Sequence, residues 1–261
     1  MIQHLSPSTC QSYKTCSKAV YFQKILGIRN KTGYAATAFG SAMHEAIEYL
    51  MREKMNGTKI TLDEFYEKFA ARYKELSKYT TVWKEDSVEH LLEQGRLACE
   101  GFYKYWYNRF DPEGVEVEFN INRGEGKLPI KTISDLITKD GQIIDWKFGR
   151  SSKPGDYILN MSTYAKCYLM TYGCLPTEVA YVACKWTKKR QPSGQYKYFF
   201  DGFKKISLPV TMDWIAYADS VYDDVEQGII KGVWVTASDN NGLCKNCSYR
   251  LDGHCNVVLL P

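Results

Sequence analysis

The order of apolar and polar residues predicts a β-hairpin in the middle of the chain, over Lys131–Gly149. Isoleucine, leucine and tryptophan, which favour strands, occupy both halves of this segment. Between the halves, Asp140-Gly141 is a strong signal for a two-residue turn. The segment therefore predicts two strands joined by a tight turn.

Three charged residues interrupt this apolar hairpin. Asp135 lies near the middle of the first predicted strand, and Asp145 and Lys147 lie at the end of the second. Side chains two residues apart on a strand leave the same face, so Asp145 and Lys147 share one. Carboxylates and an ammonium are costly to desolvate beside apolar residues, and a divalent cation is their usual partner. About one D-x-K tripeptide is expected by chance in a chain of this length, so the prediction depends on the strand context.

The N-terminal part of the chain predicts helices. Ser6 is placed as N-cap and Pro7 as first residue of a helix that ends at Gly27. We expect a loop over Gly33–Phe39 and then a second helix with His44 near its start. Small residues that allow a close helix approach precede this histidine: Gly40, Ser41 and Ala42. A single histidine is more often structural than a ligand, so His44 alone predicts no site.

Residues 57–110 are predicted to be helical throughout. Thr61 and Glu64 form a capping box for an amphipathic helix. A second helix is expected from about Ser87 to Phe110, where the sequence DPEG stops it. This region carries no evident chemistry, and we interpret it as scaffold or as a cap over the sheet.

The remaining segments predict further strands and helices. Val115–Ile121 alternates like a half-buried strand and carries Glu116 and Glu118. After the hairpin, the pattern predicts a helix, two strands and a last helix capped by Thr211: Leu159–Thr171, Glu178–Trp186, Tyr196–Phe200 and the residues after 211. This order predicts an α/β fold in which a mixed sheet is flanked by helices.

Composition adds a few limits. The 261 residues are 44% hydrophobic, enough for a substantial core in one elaborated domain or two. No apolar run approaches membrane-spanning length and the N-terminus lacks a signal pattern, so we expect an intracellular protein without a membrane partner. The net charge of +4 is too small to indicate nucleic-acid binding, although basic residues cluster in Cys184–Gln191. The 20 Tyr and 6 Trp suit stacking on bases but suit a core better.

The C-terminal segment has the cysteine spacing of a metal site. Nine cysteines in a chain without a signal sequence indicate metal binding or free thiols before disulfides. Cys244 and Cys247 form a C-x-x-C pair, and Cys255 follows closely. A four-sulfur site needs one more cysteine from elsewhere. His254 is an alternative fourth ligand, although its adjacency to Cys255 would strain a shared centre.

Taken together, these residues resemble a RecB-type nuclease of the PD-(D/E)xK superfamily. The resemblance is greatest to its iron–sulfur members, among them the CRISPR-adaptation nucleases and many phage exonucleases. The matches to the family motifs run in family order: Ser6, Ser8 and Cys16 for S-x-S and its cysteine, Gly40 to His44 for G-x-x-x-H, Asp135 followed by Asp145 and Lys147 for the acid and D-x-K, with Gly149 after them, and the C-terminal cysteines. The family's Q-x-x-x-Y motif is matched at Tyr164, but Asn160 stands where glutamine is expected.

The resemblance implies a restriction-endonuclease-like core in a single nuclease domain over residues 1–261. It further implies a helical insert over 45–110 and a C-terminal tail, 240–261, that binds an iron–sulfur cluster. The implied activity is that of a Mg²⁺- or Mn²⁺-dependent deoxyribonuclease, an exonuclease on DNA ends or single strands. A structural [4Fe–4S] cluster would join the tail to the N-terminal helix.

The resemblance also implies a role for each matched residue. The divalent cation would be held by Asp135, Asp145 and the Trp146 backbone carbonyl, with His44 as a further ligand. Glu118, on the neighbouring strand, would be an additional acid. Lys147 would orient the attacking water, and the motif residues Asn160 and Tyr164 would position the substrate. The cluster ligands would be Cys16, preferred to Cys10 by its family position, and the three late cysteines: Cys244, Cys247 and Cys255.

Two other interpretations remain open at this point. The chain could be an inactive DNA-end-binding module on the same fold, which the Asn160 departure favours and the intact acid set disfavours. It could also be a zinc-containing nucleic-acid-binding protein, for which the cysteine tail alone is evidence. The nuclease interpretation places the protein in the cytoplasm of a bacterial or phage-infected cell, in DNA repair or recombination. Any helicase would be a separate partner, and the oligomeric state stays open.

Overall fold

The structure is a computed structural model that describes residues 2–29, 33–83, 86–149, 154–208, 210–237 and 243–256. The helices in these ranges are α1 (Pro7–Val20), α2 (Ala35–Met55), α3 (Leu62–Ser77), α4 (Val88–Tyr105), α5 (Ile158–Tyr172), α6 (Met212–Ile230) and the short α7 (Ser248–Leu251). The strands are β1 (Pro112–Ile121), β2 (Ile130–Thr138), β3 (Gln142–Lys147), β4 (Glu178–Arg190) and β5 (Tyr196–Leu208).

The strands form one mixed sheet in the order β1-β2-β3-β4-β5. Neighbours are antiparallel except for β3 and β4, which are parallel and joined through α5. Parallel neighbours run in the same direction, so a tight turn cannot join them and a longer crossover such as α5 is needed. In β3 the four residues from Ile143 to Trp146 are buried in succession, which is the pattern of a strand covered on both faces.

Each face of the sheet carries its own helical layer and core. On one face, α2, α3 and α4 bury the aromatic residues of their inner stripes against Leu136, Ile144 and Trp146. On the other face, the N-terminal segment, α5 and α6 cover Ile137, Ile143 and neighbouring strands. The predicted mixed sheet flanked by helices is therefore confirmed, as three layers with the hairpin β2–β3 in the middle one.

Most local predictions agree with the structure. Ser6 caps α1, Thr61 and Glu64 form the capping box of α3, and Thr211 caps α6. The hairpin turn lies where it is predicted but has three residues, 139–141, instead of two: the Gly141 N–H donates to the Thr138 carbonyl at 2.9 Å, and Gly141 has φ +79°, which glycine adopts without strain. These features depend on residues close in sequence, which is why pattern alone predicts them.

Three predictions of element bounds are wrong. Residues 35–39 are helical instead of looped, because Ala35, Ala38 and Phe39 are buried in the first core and continue the stripe of α2. Residues 57–110 are not helical throughout: α3 ends at Ser77 and α4 starts after Ser87, with a β-bridge between Tyr34 and Val82 in the interval. The strands β4 and β5 are longer than predicted: β4 continues to Arg190 by pairing with β5 beyond β3, and β5 continues to Leu208 along the part of β4 that also pairs with β3.

Two regional predictions can be located in this fold. The predicted insert, 45–110, begins inside α2, and its helices share one core with the sheet. Residues 240–242 and 257–261 of the predicted cluster-binding tail lie outside the described residues. Within the described ranges, no helix has both the length and the apolar character required to cross a membrane.

Candidate active site

The hairpin β2–β3 brings its two aspartates together. Leu136 pairs with Ile144 and Ile137 with Ile143, so the register extended by one residue sets Asp135 opposite Asp145. The Asp135 carboxylate accepts a hydrogen bond from the backbone N–H of Trp146 at 2.6 Å. The first predicted acid is thereby fixed to the strand that carries the second.

Asp145 is enclosed by two partners from different elements. It is only 4% exposed, and its Oδ1 accepts a hydrogen bond from the Tyr164 hydroxyl of α5 at 2.8 Å. Its Oδ2 forms an ion pair with Lys147 Nζ but, among the described residues, accepts no hydrogen bond with good geometry. This oxygen is therefore a buried anionic atom with an unfilled acceptor position.

The two buried carboxylates act on each other electrostatically. Burial, and then the charge of Asp145, raise the pKa of Asp135 well above its ordinary value. A bound proton or a bound cation would relieve this repulsion, and the fraction of molecules that carry the proton falls as pH rises. In the metal-free protein, ionisation of Asp135 is therefore disfavoured.

Lys147 stays charged in spite of its enclosure. Burial by itself would lower its pKa, but the charges of Asp145 and Asp135 outweigh burial and raise the pKa above its usual value. The ammonium also lies 5.2 Å from the centre of the Tyr157 ring, within cation–π range. Lys147 therefore presents a fixed positive charge beside the two aspartates.

His44 completes this group from the opposite helical layer. Its Nδ1 lies 3.5 Å from Asp135 Oδ2, and its ring packs edge-on against Phe148 at 5.0 Å. Burial lowers the pKa of His44, so the imidazole is neutral near pH 7 and able to act as a ligand. The neighbour of Gly40 is Phe148, just after β3, and a Cβ at Gly40 would lie 3.8 Å from Phe148 Cβ, an ordinary contact distance; the predicted close helix approach at this glycine is not observed.

The predicted additional acid, Glu118, is not brought to this group. Its side chain is half exposed and pairs with Lys131 at 2.8 Å, on the outer part of β1. Glu116 takes that place instead, because it falls opposite Asp135 in the register and has φ +52°, which breaks the strand alternation there. Burial and the charge of Asp135 raise the pKa of Glu116 to about 7.

Sequence reasoning also missed Glu48, whose charge acts on both Asp135 and Glu116. Residues four apart on a helix share a face, so the spacing of His44 and Glu48 could have revealed it. No comparable signal indicated Glu116 over Glu118, because the unusual φ at Glu116 depends on packing across the sheet. The site thus contains more carboxylates than the motif residues alone.

The predicted substrate-positioning pair forms a chain of contacts behind Asp145. The Asn160 side chain hydrogen-bonds to Tyr164, one helical turn later on α5. Burial, and then the Asp145 charge, raise the pKa of Tyr164 well above its usual value, so its hydroxyl remains a donor. In this arrangement Asn160 positions the Tyr164 hydroxyl, and Tyr164 in turn positions Asp145.

The donor set fits a hard divalent cation. Among the described residues, no three His, Cys, Asp or Glu side chains are already arranged around one metal position. Mg²⁺ needs no such cage, since it commonly uses one or two carboxylates together with waters and substrate phosphates. The unfilled acceptor position on Asp145 Oδ2, opposite Asp135, is the feature of this structure that suits it.

The four predicted cluster cysteines meet at a second place. Cys16, Cys244, Cys247 and Cys255 line one small cavity between α1 and the C-terminal segment. Cys16 lies at a break in α1, with φ −159° and ψ 93° inside the helix. Cys10 is instead fully buried in the second core, where burial raises the pKa of its thiol to about 12. Among the described residues, however, the four sulfurs are not already arranged around one metal position, so the structure shows a shared cavity and not a formed metal centre.

Comparison with known proteins agrees with this geometry. The family model of the PD-(D/E)XK nuclease superfamily matches residues 4–251. No curated protein sequence matches the chain.

Among solved structures, a candidate exonuclease from Eubacterium rectale has 13% sequence identity and a TM-score of 0.56, covering 99% of this chain and 90% of its own. The structure of SSO0001 is 15% identical, covering 96% of this chain and 97% of its own, but its TM-score of 0.35 is too low to support an argument. Because the family model spans nearly the whole sequence, the chain belongs to the PD-(D/E)XK nuclease superfamily.

Proposed function

We propose that the protein is a RecB-type, Mg²⁺- or Mn²⁺-dependent deoxyribonuclease that degrades DNA from its ends. The observation that carries the proposal is the pair of facing aspartates, the buried Asp145 and the largely buried Asp135, with the Lys147 ammonium on Asp145. Exonuclease action is favoured by the similarity to a structure described as a candidate exonuclease.

In this proposal Asp135 and Asp145 hold the cation, with His44 and the Trp146 carbonyl beside them. When bound, the cation lowers the pKa of a coordinated water and offsets charge on the phosphate. Lys147 orients that water or stabilises the developing negative charge, for which its raised pKa suits it. Tyr164 holds Asp145 in place through the hydrogen bond to Oδ1.

We also propose that Cys16, Cys244, Cys247 and Cys255 bind a structural [4Fe–4S] cluster. The cluster would connect α1 to the C-terminal segment, more than 220 residues later. Its support is the shared cavity of these four side chains, while the buried thiol of Cys10 is withdrawn from it. A zinc ion on the same thiolates is the alternative, and colour separates the two because only the iron–sulfur protein is brown.

A digestion assay tests the nuclease proposal. Purified protein is incubated with end-labelled linear DNA and with closed circular DNA, each with Mg²⁺, Mn²⁺ or EDTA. The proposal predicts shortening of linear DNA with either metal, none in EDTA, and intact circles. Cleavage of circles would replace the exonuclease proposal by an endonuclease, and binding without cleavage in any metal would favour the inactive module.

A further inference from the structure

The net charge of the chain is concentrated in one protruding hairpin. Residues 184–203, which we name the basic ribbon, contain five lysines or arginines and one aspartate, a net charge of +4. The whole chain has 34 basic and 30 acidic residues, so the rest of it balances 29 against 29. A nearly neutral protein thus carries one cationic projection.

The basic ribbon starts at the edge of the sheet where the candidate active site lies. β3 ends at Lys147, which pairs with Ala183 of the parallel strand β4. Beyond that point β4 pairs with β5 alone, from Cys184 opposite Phe203 to Arg190 opposite Tyr196. Seven further residues at about 3.3 Å each extend roughly 23 Å, the length of roughly seven phosphates along one DNA strand.

The base of the ribbon is fixed to the protein, so its direction is defined. Trp186 Nε1 donates to the Phe148 carbonyl at 3.2 Å, directly beside His44 and Lys147. On the other strand, the Phe200 N–H donates to Gln94 of α4 at 2.7 Å. The outer half is anchored to α4 as well: His90 Nε2 hydrogen-bonds to the Tyr198 carbonyl at 2.8 Å, and the His90 ring packs edge-on against Phe199 at 5.2 Å.

The charges in the outer half are not balanced within the described protein. Lys185 pairs with Asp201 at 3.9 Å, but no described carboxylate forms an ion pair with the next four cations: Lys188, Lys189, Arg190 and Lys197. Lys189 and Lys197 also face each other directly across the two strands. Like charges in a cross-strand pair destabilise the sheet, so their presence indicates an anionic partner.

Aromatic rings support these cations from within the ribbon. Lys188 lies 4.9 Å from the centre of the Tyr196 ring, and Lys189 lies 4.9 Å from that of Phe199. The rings restrict the lysine stems while the ammonium groups stay exposed. The ribbon is thus a row of oriented positive charges and not a flexible basic tail.

From this geometry we propose that the basic ribbon binds the phosphate backbone of double-stranded DNA next to the scissile phosphate. The inference rests on the proposed nuclease function and adds the surface that holds the duplex during digestion. A two-stranded β-ribbon has the width to follow a DNA groove or backbone. An acidic protein is the competing partner, and the test separates the two.

The test compares two double variants that remove the same charge. K189A/K197A removes the facing lysines of the ribbon, while K104A/K139A removes exposed lysines at the opposite end of the molecule. Lys104 is near the C-terminal end of α4 and Lys139 is at the hairpin turn. Binding of a labelled 30-base-pair duplex is measured in EDTA over a range of salt concentrations, and melting curves check that both variants fold.

The proposal predicts about tenfold weaker binding for K189A/K197A at low salt and a salt slope smaller by about 1.8. K104A/K139A should bind like wild type, and K189R/K197R should retain the affinity because charge is what matters. Unchanged DNA affinity in folded K189A/K197A would overturn the proposal, and is the result expected if the ribbon serves an acidic protein.

Hydrolysis of a p-nitrophenyl ester of thymidine 5′-phosphate separates this inference from the nuclease proposal, because that substrate is too short to reach the ribbon. K189A/K197A should hydrolyse it at the wild-type rate with Mn²⁺. A loss of ester hydrolysis would contradict the assignment of the ribbon to duplex binding alone. Weaker duplex binding together with a wild-type protein that hydrolyses neither substrate would leave the ribbon assignment intact and refute the nuclease function.

Discussion

At the scale of single residues, Asp135 on β2 is a carboxylate whose negative charge is unfavourable unless a cation is bound beside it. Asp135 is held against Trp146 and beside Asp145, and both burial and that neighbour oppose its ionisation. A site that disfavours its own charges in this way gains stability when a cation binds, at the expense of the metal-free protein.

Replacement of Asp135 by Asn should therefore stabilise the metal-free protein. The amide oxygen can still accept the hydrogen bond from Trp146 N–H, while the buried charge is gone. We expect Asp135→Asn to melt above wild type in EDTA at pH 8. Mg²⁺ should raise the melting temperature of wild type but not of the variant. If the variant melts well below wild type in EDTA, Asp135 is a structural carboxylate and the metal-site assignment loses support.

Glu116 predicts how stability depends on pH. Its pKa rises from 4.5 to about 7 in the folded protein, so the folded state binds this proton more tightly than the unfolded state. Its contribution to stability is therefore fully present below about pH 4.5 and is lost as pH rises through about 7.

Glu116→Gln should remove that loss. In EDTA, the melting temperature of the variant minus that of wild type should grow from pH 4.5 to 7 and then level off. Glu118→Gln is the matched control, because Glu118 is exposed on the same strand, and its difference should stay nearly constant. If the melting temperatures of wild type and Glu116→Gln change with pH in the same way, Glu116 is not held near the acid group.

At the scale of secondary-structure elements, the break in α1 separates two cysteines with different surroundings. Cys10 lies in regular helix and points into the second core, whereas Cys16 has extended dihedral angles and lines the cavity of the late cysteines. Thiolates bind metal, and burial holds Cys10 as a thiol.

The iron content of two variants tests this difference. Cys16→Ala should lose the brown colour and bound iron of anaerobically purified protein, while Cys10→Ala should keep both. A crosslink closing a loop of this length contributes roughly 5 kcal/mol in a chain-entropy model, so Cys16→Ala should also melt at a clearly lower temperature. If only Cys10→Ala loses its iron, Cys10 is the ligand and α1 is docked differently. If both variants keep their iron, no cysteine of α1 is a ligand of the cluster.

Elements also show the limit of prediction from sequence. The hairpin, the place of its turn and three helix caps depend on residues within a few positions of each other, and the sequence predicts them, although the turn has three residues instead of the predicted two. The start of α2 at Ala35 and the choice of Glu116 over Glu118 depend on contacts across the sheet, which no local pattern contains. The pattern itself predicts Asp135, Asp145 and Lys147 on one hairpin. The roles of His44 and Tyr164 come from the resemblance, and their contacts with the aspartates emerge only in the fold.

At the scale of the whole molecule, two distant sites and one projection are arranged around the same sheet. The acid group lies where β3 ends, the basic ribbon leaves the sheet at that edge, and the cysteine cavity lies beside α1 on the other helical layer. A nuclease needs a reacting centre and a surface that holds its polyanionic substrate; the acid group and the basic ribbon, proposed for these two roles, are neighbours in the fold.

The central claim is that Asp145 belongs to a metal-dependent centre that hydrolyses phosphodiester bonds. The most direct measurement is the single-turnover rate of linear DNA cleavage with Mg²⁺ by Asp145→Asn, with Asp140→Asn as matched control. Asp140 lies in the same hairpin, but its carboxylate bonds to Thr138 and Gln142 at the turn. We predict a loss of at least about a hundredfold for Asp145→Asn with DNA binding retained, and about the wild-type rate for Asp140→Asn. Cleavage by Asp145→Asn at the wild-type rate would contradict the account.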